Sequence, residues 1–114
     1  RYTGEGTQIN LNTLGFAGAI YQRIASLAFT SSQLTEINLG NVRKIAQMAI
    51  NSKCVNLTRI VLTSSVNPPI LESKLSFQIA DIHNCYIYVR TNDVSAYTTS
   101  WKNFGVSASR IMGE

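Results

Sequence analysis

The chain has 114 residues, 45% hydrophobic and only 14% charged, which is enough apolar content for one packed domain and excludes a disordered or polyelectrolyte chain. The formal charge of +4 comes from basic residues scattered between Arg1 and Arg110, with Arg43-Lys44 the only adjacent pair, so no basic stripe points to nucleic acid. No window holds the ~18 unbroken apolar residues of a membrane span, so membrane insertion is not expected.

Along the chain, a polar lead Tyr2-Thr3-Gly4-Glu5-Gly6 precedes Gln8-Ile9-Asn10-Leu11, whose polar–apolar alternation predicts a short strand. Ile9-Asn10-Leu11 reappears as Ile37-Asn38-Leu39, so this segment is either a first rung or a cap. Residues 1–19 are expected to be that lead-in, ending in the small-residue turn or short helix Gly15-Phe16-Ala17-Gly18-Ala19. The absence of a charged and apolar leader, with Arg1 at the start, fits a mature secreted chain or a piece of a longer one.

Residues 20–89 are organised around a doubled pattern. Ile24, Ala25, Ala28 and Phe29 recur as Ile45, Ala46, Ala49 and Ile50 at a step of 21. Leu34, Thr35, Ile37 and Leu39 recur as Leu57, Thr58, Ile60 and Leu62 at a step of 23. Self-similarity in the low twenties is the signature of stacked repeats, leucine-rich repeats in particular. The Ile-Ala-x-x-Ala-Phe half has apolar residues at i, i+1, i+4 and i+5 and is expected to form a short helical or 3₁₀ turn. The Leu-Thr-x-Ile-x-Leu half alternates with period two, a strand with Leu and Ile inward. Pro68-Pro69 marks a corner, since consecutive prolines cannot donate to a ladder. Leu71, Leu75, Phe77, Ile79 and Ile82 are expected on the apolar side of a third, longer coil, followed by a strand Tyr86-Ile87-Tyr88-Val89. Residues 90–114 predict a helical cap: Val94, Tyr97, Trp101 and Phe104 share one helix face, Asn92 or Asp93 is the N-cap, and Ile111 closes the same apolar surface after Gly105. Trp101 is expected in the core rather than as a ligand anchor.

The halves Ile24-Ala25-x-x-Ala28-Phe29 and Leu57-Thr58-x-Ile60-x-Leu62 with Cys54, then Cys85-Tyr86-Ile87-Tyr88-Val89, Val94-x-x-Tyr97-x-x-x-Trp101 and Ala108-Ser109-Arg110-Ile111, resemble the BspA-like leucine-rich repeat family over residues 20–112. The proline pair also falls where that family carries one, whereas Arg90 stands where it usually has proline, which weakens the expectation of a rigid strand-to-helix corner. The resemblance implies an α/β fold: a short leucine-rich repeat solenoid with one parallel strand per repeat and a C-terminal helical cap. It also implies an extracellular or cell-surface, typically bacterial, module that binds a partner without catalysis. Similar modules occur on phage tail and baseplate proteins.

Stacked in register, the outward strand positions form two rows, Glu36–Arg59–Tyr86 and Asn38–Val61–Tyr88, extended by Gln8 and Asn10 if the first rung exists. A sheet face carrying tyrosines suits a protein or glycan ligand. The alternative is an ordinary solvated face with a cross-strand Glu36–Arg59 pair. No catalytic, cofactor or metal residues are expected. His83 with Asp81 lacks further convergent groups, and Cys54 and Cys85 lack metal-ligand spacing. Both thiols are expected buried and free, with a Cys54–Cys85 disulfide as the alternative. The sequon Asn56-Leu57-Thr58 is explained by the repeat, which already requires Leu-Thr. The rival functions are a structural part of a phage tail or baseplate particle and an ancillary domain of a longer enzyme. Self-association through an open sheet edge is compatible with either.

Overall fold

The computed structural model describes residues 6–11, 20–65, 67–77 and 85–114. It is an α/β protein whose strand pairings are all parallel, with a single α-helix among the described residues. The main sheet takes β1 (Gln8–Asn10), β3 (Glu36–Asn38), β6 (Arg59–Val61), β8 (Tyr86–Val89) and β9 (Ile111–Gly113) in that spatial order. Two-residue strands pair elsewhere: β2 (Ile20–Tyr21) with β4 (Asn41–Val42), and β5 (Lys44–Ile45) with β7 (Ile70–Leu71). The segment Gln8–Leu11 is therefore a first rung, in register with Glu36–Leu39.

Register follows the repeat steps. Ile9, Ile37, Ile60, Ile87 and Ile111 stand side by side, four of them buried and Ile9 partly so at the outer rung. Leu11, Leu39, Leu62 and Val89 form a second inward file, and every one is buried. A strand of three residues buries too little to persist alone, and parallel stacking gives each rung a neighbour that completes both its core and its hydrogen bonds. The repeated Leu-Thr now has a reason. Leu34 and Leu57 are buried, while the Thr35 hydroxyl donates to Thr7 O (3.1 Å) and the Thr58 hydroxyl to Thr35 O (3.2 Å). The Asn56 amide of the sequon likewise donates to Ser32 O at 2.7 Å.

The other half of the repeat is not helical, contrary to expectation. Parallel bridges join Ile24 to Ile45, and Phe29 to Ile50 to Phe77. Between them lies one tight turn per rung, with Ala28 N donating to Ala25 O and Ala49 N to Ala46 O. Leu27 and Met48 occupy left-handed backbone at φ 59° and 57°, which reverses the chain and forbids a continued helix. Each is held by the next rung, Leu27 N donating to Met48 O and Met48 N to Leu75 O. The hydrogen-bonded closure recurs as Ser76 N donating to Ser73 O, with serine in place of both alanines but without a left-handed residue in the turn. Each repeat thus carries a main strand plus short side ladders rather than one strand. Leu71 and Phe77 are buried as expected, but Leu75 sits on the outer side of its turn and is 48% exposed. Ile79, Ile82, Asp81, His83 and the 15–19 turn lie outside the described residues.

The C-terminal end is part helix and part sheet. A 3₁₀ turn (Thr91–Asp93) leads into α1 (Val94–Ser100), where Asp93 holds the N-cap position without a side-chain cap bond. Its carboxylate instead accepts from Arg90 Nε at 2.8 Å. Arg90 has φ −60° and ψ 141°, the backbone that proline would impose, and its Nη2 donates to Ser65 O at 3.2 Å. The side chain of Arg90 thus fastens the corner for which the family resemblance implies a proline ring. Tyr97 and Trp101 are buried and stacked edge-on at 5.0 Å, and Trp101 meets Phe77 at 5.5 Å. The Trp101 indole N–H donates to Pro69 O (2.9 Å), tying the helix to the proline corner. Phe104 leaves this face because α1 ends at Ser100, and it is 37% exposed. Gly105 follows with φ +76°, and a side chain there would meet the Lys74 carbonyl oxygen at 2.3 Å. Ile111 is buried as the fifth member of the isoleucine file, so residues 111–113 extend the sheet rather than the helical cap.

Cys54 and Cys85 are free and buried, Cys54 Sγ donating to Phe29 O at 3.4 Å. Burial pushes the Cys54 thiol up, and it pushes Cys85 up to about 11, eased by the charge of Arg110. Burial also raises the Tyr97 phenol to about 12, with the charge of Asp93 adding to the rise. The Ser65 hydroxyl, which eases that rise, donates to Gly40 O and accepts from Val42 N. The Tyr97 hydroxyl has no hydrogen-bond partner among the described residues.

Two predictions follow from this packing. Trp101→Ala removes the indole bond and the aromatic wedge and is expected to cost about 3–5 kcal/mol in urea unfolding, while Phe104→Ala stays within about 1 kcal/mol. Tyr97→Phe deletes a buried hydroxyl without a partner and is expected to be neutral or stabilising, within about 1 kcal/mol at pH 7. A phenol whose folded pKa is raised stabilises the fold fully below its ordinary value of 10 and loses that contribution as pH rises through about 12. Thermal midpoints across this alkaline range should therefore fall less steeply for Tyr97→Phe than for the parent protein.

Candidate functional site: the outward face of the main sheet

The period-two alternation that sends isoleucine and leucine inward sends the neighbouring residues outward, and the parallel register lines them up. Gln8, Glu36, Arg59 and Tyr86 form one row, and Asn10, Asn38, Val61, Tyr88 and Met112 form the next. Both rows are as the repeat steps predict, and β9 lengthens the second of them.

Arg59 is the centre of this face. Its Nε donates to Glu36 Oε1 at 2.9 Å toward one neighbouring strand. Its Nη2 reaches the Glu114 carboxylate on the far side of β8. Between the two, its guanidinium lies 4.0 Å from the centre of the Tyr88 ring, a cation–π contact. Donating hydrogen bonds to Glu114, and then to Glu36, holds the guanidinium still more firmly protonated than usual. Arg110, just before β9, lies 5.1 Å over the Tyr86 ring and forms no ion pair with a described carboxylate. Both tyrosines are thus half-buried rings, each covered on one side by a guanidinium.

The remaining predicted residues divide. Asn38 turns its Oδ1 to its own turn, accepting from Gly40 N at 2.9 Å, and shapes the rung end. Val61 points outward, between Asn38 and Tyr88 in its row, but is only 6% exposed. It is floor rather than contact surface. Glu36, Arg59, Tyr86 and Tyr88 are brought together, joined by Glu114, Arg110 and Met112 from the segment expected to be a helical cap. Nothing in Ile111-Met112-Gly113 alternates between polar and apolar, so the sequence carries no strand signal for them.

Three charged groups and a ring that already contact each other have lost much of the side-chain freedom a ligand would otherwise have to freeze. Such a face offers flat aromatic area, guanidinium donors and carboxylate acceptors, which serve binding. Among the described residues no group of three or more His, Cys, Asp or Glu is placed to hold a metal, and no helix is long and apolar enough to cross a membrane. Comparisons with protein-family models, curated proteins and solved structures give no match to this chain.

Proposed function

We propose that the chain is a short leucine-rich repeat solenoid of the BspA-like kind, closed by its C-terminal segment, and that its main-sheet face is a non-catalytic recognition surface for a protein or glycan at the cell surface or outside the cell. The observation that carries the reading is the ordered Arg59–Tyr88 and Arg110–Tyr86 pairs on the solvent side of a sheet whose other side is fully committed to the core. Tyr and Arg are the residue types over-represented where binding energy concentrates. A solvated face of no consequence would need only isolated polar side chains, and the Glu36–Arg59 pair alone would be of that kind. The repeat reading draws on the three recurring turns and on parallel ladders that step by 21 to 28 residues.

A second reading, a structural part of a phage particle, draws on β1 and β9, each of which pairs on one side only within the main sheet. Strands with an unpaired edge are sites where another chain can add.

The test is a screen of the parent protein and the Tyr86→Ser/Tyr88→Ser double variant on glycan and surface-protein arrays, with solution mass measured alongside. The recognition reading expects a ligand whose affinity falls at least about tenfold in the double variant. Retained affinity in a folded double variant, or a concentration-independent trimer that binds nothing, would overturn it in favour of an assembly role.

A further inference from the structure

Away from the sheet face, the chain turns a corner between two side ladders, and this corner is a cleft of about 510 Å³. Asn41 and Val42 of β4, then Arg43 and Lys44, form one side, and Asn67, Pro68 and Ile70 form the other. Val42 and Ile45 are buried, which leaves both Arg43 and Lys44 exposed at the bend. The walls are fixed by backbone rather than by side chains. Ile70 N donates to Arg43 O at 2.9 Å, Lys44 and Ile70 are ladder partners, and Trp101 holds the carbonyl of Pro69 beside Pro68.

Lys53, Lys74, Lys102 and Arg110 also lack an ion-pair partner among the described residues, but only here do two adjacent cations line a cleft. Glu36, Glu72, Asp93 and Glu114, the described carboxylates, are each taken by Arg23, Arg59 or Arg90. Glu72 is the nearest to the cleft and feels the charge of Lys44, but Arg23 grips it at 2.8 and 3.0 Å. Among the described residues no carboxylate is within ion-pair distance of Arg43 or Lys44. Two adjacent cations therefore line a cleft without a matching anion among the described residues.

We propose that this cleft binds an acidic sugar, with the carboxylate of a uronate-type unit held by Arg43 and Lys44. A guanidinium offers two parallel N–H donors that match a carboxylate. The amides of Asn41 and Asn67 each offer a donor and an acceptor, the pairing that sugar hydroxyls require. Pro68 and the 60% exposed Ile70 supply apolar surface for the C–H face of a pyranose ring. The volume lies within the range of roughly 300–1,000 Å³ usual for small-ligand sites. Inorganic phosphate would leave the apolar wall unused, and no aromatic side chain lines the cleft to stack a nucleobase. The inference stands apart from the sheet-face reading, since no residue is shared.

The test is an NMR titration of the isotope-labelled protein at constant ionic strength with methyl glucuronide, methyl glucoside, inorganic phosphate and an oligo-glutamate peptide. The expected result is saturable shifts at residues 41–44, 67 and 70 with methyl glucuronide, a Kd of about 1 mM or tighter, and at least about tenfold weaker binding of the neutral glucoside. Arg43→Ala should weaken the glucuronide about tenfold or more while leaving the thermal midpoint unchanged, because the side chain is exposed. Lys44→Ala provides a second variant if Arg43→Ala unfolds. Absence of saturable shifts, phosphate or peptide binding as tightly as the glucuronide, shifts confined to the sheet face, or full binding by both folded variants would each overturn the proposal.

Discussion

Everything in this chain depends on one constraint: no rung can satisfy its own backbone. A three-residue strand has no internal hydrogen bonds, so its amides must be taken by the neighbouring rungs, Leu11 N by Asn38 O, Leu39 N by Val61 O and Leu62 N by Tyr88 O. That demand fixes the register, and the register places Ile37, Ile60 and Ile87 side by side in the core. Hydrophobic burial and backbone pairing therefore select the same alignment, because a one-residue slip would turn the whole isoleucine file to solvent. The turns with left-handed Leu27 and Met48 are held within the same arrangement, each by a hydrogen bond to the next rung.

The two surfaces with the most chemistry are consequences of that stacking. Because strands align, Glu36, Arg59 and Tyr86 become neighbours although they are separated by 23 and 27 residues. Because β9 adds a fifth strand, Glu114 and Arg110 reach the same face. The sheet face pairs Arg59 with Glu36 and Glu114 and displays tyrosine, whereas Arg43 and Lys44 at the corner cleft have no ion-pair partner among the described residues.

The sequence makes legible whatever repeats with its residue types intact. Ile9-Asn10-Leu11 and Ile37-Asn38-Leu39 are identical, and the Leu-Thr-x-Ile-x-Leu halves match at every inward position, so the central strands and their rows follow from counting, while the first segment reads equally as a rung or a cap and β9 carries no repeat signature. The turn half is harder to read, because apolar residues at i, i+1, i+4 and i+5 suit both a helical turn and a bridge–turn–bridge. Nothing in Leu27 or Met48 announces left-handed backbone, a conformation that usually draws glycine or asparagine. The third turn is hidden because Ser73 and Ser76 replace alanine, keeping the size and the turn but not the apolar pattern; the Ser76 hydroxyl satisfies itself by donating to Ile45 O at 3.0 Å. Val61 illustrates another limit. Period two gives its direction correctly, but its burial at 6% exposure is a tertiary property that local spacing does not encode. The cleft at Arg43 was visible only as an adjacent basic pair, and its walls come from residues 67–70 on another rung.

The most direct test of this account is native-state hydrogen exchange resolved by NMR. If stacking in the stated register holds the molecule together, the amides of Leu39 and Leu62 exchange only through global unfolding, with one shared free energy equal to that from urea, and Leu11 on the outer rung exchanges faster. Rapid or unrelated exchange at Leu39 and Leu62 would contradict it, because those amides would then not be held between successive rungs.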